Sequence, residues 1–221
     1  MNIIKRLIGS VFVLAVFGVT GCTHVVSGAA VAPTSVGPAD ITALLLDEDE
    51  VNSIMETSDL VLAESGDGPD DTIDASPSEC HGVIYISGEE EYGDTDFTEM
   101  RWEAVASESG SVVQSVAKFP SSSDASAFVE DQTASWDSCR KVTITSVNKE
   151  DGTTSRYQVR SVSAQHDKVT ALTVLADMDW QCQHVLQAVS SFVLDISACG
   201  SIISDQAETV ASEVASKVDN K

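Results

Sequence analysis

The sequence predicts an α+β domain: a mainly antiparallel sheet with packed helices, stapled by two disulfides. Three observations carry that expectation. Apolar residues alternate at period two in several runs joined by hairpin-length turns, which favours antiparallel pairing. Two other stretches, FPSSSDASAFVEDQTASWDSC at 119–139 and a segment from about Asp205 to Val218, repeat apolar residues at helical spacing. Setting aside Cys22 leaves an even number of cysteines, Cys80, Cys139, Cys182 and Cys199, in a chain that carries an export signal.

The signal opens the chain. Lys5 and Arg6 form a positive start, and Leu7 to Val19 form an apolar run of about a dozen residues, shorter than the ~20 a spanning helix needs. Val19-Thr20-Gly21-Cys22 resembles a bacterial lipobox, which implies cleavage before Cys22 and lipid attachment to its sulfur. Residues 1–21 are therefore read as a lipoprotein signal peptide. Residues 22–40, rich in Ser, Thr, Ala, Gly and Pro and almost without charge, are read as a flexible tether, because such a composition cannot bury a core. Residues 41–221 make the extracytoplasmic domain, long enough for one real core.

Along that domain, Asp47 to Met55 predicts a short helix opened by a D-x-x-E capping box, Asp47 with Glu50. Residues 63–79 read as a loop of Gly, Pro, Ser and acids. Gly82 to Ile86 reads as a strand, and GEEEYGDTD at 88–96 as a second acidic loop. Met100–Ser107 and Val112–Phe119 alternate and flank Ser109-Gly110, so a hairpin is expected. Pro120 and the serines after it lead into a helix capped by Ser122 or Ser123, with Ala125, Phe128, Val129, Gln132 and Trp136 on one face. Strands follow at Lys141–Val147, Ser155–Val162 and Lys168–Ala176, then the two arms of a hairpin. A final helix, capped by Ser204, buries Ala207, Val210, Ala211, Val214 and Val218.

The last hairpin constrains the cysteines. In WQCQHVLQAVSSFVLDISACG at 180–200, a two-residue turn at Ser190-Ser191 sets Val189 opposite Phe192. Facing residue numbers then share a constant sum, which Cys182 and Cys199 also satisfy. They fall on a non-hydrogen-bonded pair, where Cα atoms approach to ~4.5 Å, within disulfide reach. No CxxC or HxxxH spacing offers a metal site instead. Cys80 and Cys139 are left for each other, closing a loop that the chain-entropy model values at about 4 kcal/mol. Ser-Ser is not a favoured turn pair, so a longer or bulged loop stays open.

Charge excludes one class of partner. The formal net charge is −23, and loss of Lys5 and Arg6 would leave 10 basic against 35 acidic residues, or −25. Such a surface repels nucleic acid and anionic lipid headgroups.

In order, LLLDEDEVNSIM at 44–55, SPSECHGVIY at 76–85, VVQSVAKFPSSSDASAFV at 112–129, WDSC at 136–139, WQCQHVLQAV at 180–189 and VLDISACG at 193–200 resemble the extracellular sensor-domain family named for the actinobacterial Ser/Thr kinase PknH, which also occurs as free lipoproteins. The resemblance implies an α+β fold with two disulfides on these four cysteines, an extracytoplasmic location, and a cleft for an unidentified ligand. Family members often carry Asn where this chain has Ser190-Ser191. Signalling through an attached kinase is not expected of this polypeptide.

Candidate site residues are few. G-x-S-x-G, H-E-x-x-H and a phosphate loop are all missing, so catalysis is not expected. His184 and Asp195 should lie diagonally on one face of the last hairpin, which a plain hydrogen bond explains as well as an acid–base dyad. The acidic stretches 67–74 and 89–96 match no EF-hand, and a solvated acidic surface is expected rather than a metal site. No cofactor is expected. For a ligand cleft, Trp102, Arg156, Tyr157, Trp180 and His184 are the candidates. The function expected is non-catalytic binding of a small molecule, lipid or glycan by a lipid-anchored envelope domain. A protein–protein adaptor or surface antigen is the alternative.

Overall fold

The structure, a computed structural model, describes residues 41–176 and 178–220. The signal peptide, Cys22 and the tether lie outside the described residues.

Nine strands form one sheet: β1 (Val61–Gly66), β2 (Ile73–Ser76), β3 (Glu99–Ala106), β4 (Gly110–Lys118), β5 (Thr143–Asn148), β6 (Thr154–Gln165), β7 (Lys168–Leu175), β8 (Gln181–Val189) and β9 (Phe192–Gly200). Their order is β1-β3-β4-β9-β8-β7-β6-β5-β2, and each neighbouring pair is antiparallel. Five α-helices pack on it: α1 (Glu48–Ile54), α2 (His81–Ile84), α3 (Glu89–Tyr92), α4 (Ser122–Ser138) and α5 (Gln206–Asp219).

The order has a geometric consequence. β1 and β2 are the opposite edges of the sheet, yet only residues 67–72 join them. Nine strands laid flat would separate the edges by roughly 38 Å at ~4.8 Å per strand. The connection reaches no further than about 25 Å even when fully extended. The sheet must therefore curl, and the 67–72 connection crosses between its two ends.

Period-two alternation splits β3, β4, β8 and β9 between two cores. On one face Val105, Val112, Val116, Val185, Leu194 and Ile196 pack with α5 and the 3-10 turn Ile41–Leu44. On the other, Met100, Ala117, Ile144, Val159, Ala171 and Val193 pack against Phe128, Val129 and Trp136 of α4 and Tyr92 of α3. Two buried amides pin the first layer. Gln114 exchanges both its amide hydrogen bonds with the Leu46 backbone, at 2.8 and 2.6 Å. Gln183 Oε1 accepts from Ala207 N at 3.0 Å.

The capping box of α1 forms as the D-x-x-E spacing predicts, with Asp47 Oδ1 accepting from Glu50 N at 2.9 Å and Glu50 Oε2 from Asp47 N at 2.8 Å. The N-cap of α4 is Ser121, before either expected residue, Ser122 or Ser123. For α5 it is Asp205, not Ser204, and Gln183 satisfies an N-terminal N–H that a capping hydroxyl would otherwise serve.

Three expectations are overturned. Residues 63–79, read as a loop, contain most of β1 and all of β2. β1 shows no alternation because its side chains are nearly all exposed, and β2 is only four residues long. Gly82–Ile86, read as a strand, is mostly the short helix α2, and the acidic stretch at 88–96 holds α3.

The last hairpin has the expected register. Val189 faces Phe192, and Cys182 faces Cys199 with Cα atoms 4.1 Å apart, joined as a disulfide. Ser190 takes φ 55°, the left-handed value that primed turns demand at their first position. The second disulfide joins Cys80 to Cys139 across 59 residues. It ties the start of α2 to the end of α4, not the start of a strand.

Candidate functional site

Where α4 stops covering its face of the sheet, a cleft opens. Its floor is sheet: Trp102 and Ala104 from β3, Val113 from β4, Ser197 from β9, Tyr157 from β6 and the Cys182–Cys199 bridge. One wall is the end of α2 and the chain after it, Ile84-Tyr85-Ile86, and Glu64 and Asp70 complete the lining. The cavity is about 180 Å³, smaller than the ~300 Å³ at which drug-sized sites begin. It suits a compact ligand or one end of a larger one.

Local sequence explains the cleft's rigidity. Gly66 ends β1 against the Trp102 ring, and a Cβ there would lie 2.7 Å from the indole, so only glycine leaves the ring its place. Trp102 Nε1 donates to Gly68 O at 3.0 Å. Further along the connection, Asp70 N donates to Ser87 O at 2.8 Å, Glu89 N donates to Asp70 O at 3.0 Å, and the Thr72 hydroxyl bonds the Tyr85 hydroxyl at 2.5 Å. Burial raises the Tyr85 hydroxyl above the ordinary tyrosine range; the Thr72 bond opposes this, and Asp70 and Glu64 add to the rise. Burial also raises Tyr157.

Of the five residues expected in a cleft, Trp102 and Tyr157 line it. Tyr157 faces α4's side of the sheet, so its neighbour Arg156 points the opposite way and lines a separate shallow pocket with Leu175 and Met178. Trp180 is half-buried just before β8, its carbonyl accepting from Leu175 N at 2.9 Å. His184 is buried beneath Trp136, ring centroids 4.4 Å apart. Tyr85, Glu64 and Asp70 were not expected. All three sit in segments whose structure the sequence pattern misread, and only the VIY run marked Tyr85 as apolar-facing.

His184 belongs to a buried polar network. Its Nε2 meets Asp195 Oδ1 at 2.5 Å and its Nδ1 meets Val83 O at 3.1 Å. Both ring nitrogens are therefore engaged by oxygen atoms of the protein. Asp195 Oδ2 also accepts from Ser87 N at 3.0 Å and Tyr92 Oη at 3.1 Å. Burial, with Asp195 beside it, pushes the Tyr92 hydroxyl well up. Every member is committed, and the network docks α2 and α3 onto the sheet.

His81 repeats the device. Its Nδ1 bonds Glu91 Oε2 at 2.8 Å and its Nε2 faces Ile73 O at 3.1 Å. Burial lowers its pKa, but the Glu91 hydrogen bond and the charges of Glu91 and Glu90 outweigh that, and the net direction is up. The ligand atoms of His81, Glu90 and Glu91 come within 4.8 Å of one another, and the ion pair accounts for the approach of His81 to Glu91.

Comparison with known proteins agrees with this architecture. Residues 36–221 match the family model of the PknH-like extracellular domain. The chain is 29% identical over 200 residues to serine/threonine-protein kinase PknH of Mycobacterium bovis and to that of Mycobacterium tuberculosis, covering 86% of this chain. It spans about a third of those relatives' length, 32% and 31%. The crystal structure of the extracellular domain of PknH from Mycobacterium tuberculosis superposes with a TM-score of 0.77 at 27% identity, covering 81% of this chain and 95% of that one. This chain belongs to the PknH-like extracellular domain family.

Proposed function

We propose that this protein is a non-catalytic, extracytoplasmic binding and sensor domain, held at the cell envelope by lipid on Cys22, that takes a compact ligand in the cleft beside Tyr85. The observation that carries this reading is a cavity walled by Trp102, Tyr85 and Tyr157 whose geometry is fixed in advance by hydrogen bonds from the 67–72 connection. Preorganised apolar concavity with few polar groups is what small-ligand sites require.

Against catalysis, the pair that resembles an acid–base dyad, His184 and Asp195, has both ring nitrogens engaged by protein atoms and is closed to solvent. Native mass spectrometry of material taken from its own envelope tests the reading. A co-purifying small molecule that is lost on Trp102→Ala supports it, and turnover abolished by His184→Ala would overturn it. The same spectrum reads the anchor, which must appear as acyl mass on Cys22.

A protein–protein adaptor is the second reading. One observation favours it: edge strand β1 exposes Val61 at 57% and Leu62 at 48%, a free edge on which a partner strand can add.

A further inference from the structure

We infer that the cleft's ligand is an organic cation: an ammonium group carried on a compact apolar body. This rests on the reading of the cleft as a ligand site. Its lining holds two carboxylates, Glu64 and Asp70, and no Lys, Arg or His. The basic side chains on the neighbouring stretches are already paired elsewhere. Arg101 binds Asp67 and Glu103, at 2.8 and 3.1 Å, and Lys149 binds Asp71 and Asp74, at 2.5 and 3.1 Å. Among the described residues neither Glu64 nor Asp70 makes an ion pair; Asp70 Oδ1 accepts from Thr72 N at 2.9 Å, and Glu64 is exposed at the rim, so neither charge is neutralised by a cation. Burial is the main cause of the rise of the Tyr85 hydroxyl, and the two carboxylates add to it in the same direction.

The remaining lining fits the same ligand. Trp102, Tyr85 and Tyr157 supply aromatic rings, whose faces attract cations most strongly where water is displaced. Ile84, Ile86, Val113 and the disulfide offer an apolar bed for the body that carries the charge. An anionic headgroup would meet no countercharge and two like charges. A neutral body would gain the apolar contact and forfeit the field. The chain's net charge of −23 draws cations toward the whole surface, which raises their rate of encounter.

The test uses three probes with one body: 3,3-dimethylbutylammonium, 3,3-dimethylbutanol and 3,3-dimethylbutanoate. The full chain is held in neutral detergent with its indoles labelled by 15N. Binding is read from the Trp102 indole resonance, assigned with Trp102→Phe. The ammonium should move that resonance with an affinity about tenfold above the alcohol's, and the carboxylate should not move it. Glu64→Gln combined with Asp70→Asn, both of which keep side-chain shape, should bring the ammonium down to the alcohol's affinity. Equal or tighter binding of the alcohol or carboxylate would overturn the cation while leaving the cleft as a ligand site. Silence of the Trp102 resonance to all three probes would overturn both.

Discussion

The two histidine–carboxylate pairs set how this domain responds to single changes. Asp195 is buried and accepts from His184, Ser87 and Tyr92. Breaking a buried pair strands a charge, which costs more than the pair contributes when intact. Asp195→Ala is expected to lose about 3 kcal/mol, read from the urea unfolding midpoint. His81 gives a pH dependence of definite sign. Its folded pKa lies above the ordinary histidine value of 6.5, so its contribution is fully present below pH 6.5 and is lost as pH rises through the folded value. Unfolding free energy measured from about pH 6 to 9 should therefore fall more steeply for the natural chain than for His81→Gln. A flat difference between the two curves would show that Glu91 does not hold the proton.

Among the elements, the last hairpin was the most legible, because register follows from turn length alone once alternation is clear. Its weak point lies at one residue. Ser190 sits at φ 55°, where glycine carries no steric penalty. Ser190→Gly should stabilise the domain by up to about 1 kcal/mol, visible as a higher unfolding midpoint without change in the Cys182–Cys199 pairing. The capping box of α1 was equally legible, since Asp47 and Glu50 act only on each other's backbone. What the pattern hid was decided by distant contacts. α2 carries a β-branched and aromatic run, but the Cys80 bridge and the bond from His184 to Val83 O hold it as a helical turn. β1 has no buried face to alternate, and it is a strand because β3 supplies its hydrogen bonds. Trp102 and Tyr157 could be placed on strands from sequence. Their meeting with Tyr85 required the curl of the sheet, which no local pattern encodes.

At the scale of the whole molecule, net charge and local pairing pull in opposite directions as salt is added. Exposed ion pairs such as Arg140–Asp137 contribute about 0–1 kcal/mol each. Self-repulsion from a net charge of −23 is spread over the whole surface and is relieved by screening. Repulsion should win, so the thermal midpoint should rise by a few degrees between about 20 and 300 mM salt. A falling midpoint would mean that the pairs dominate. The 67–72 connection leaves one more mark on the molecule. By lacing β1 to β2, the two edge strands, beside the cleft that Asp70 lines, it works as a drawstring. The width available to a guest and the roll of the entire sheet become one quantity, so a guest that spreads the opening must also tug on the outermost strands at both ends.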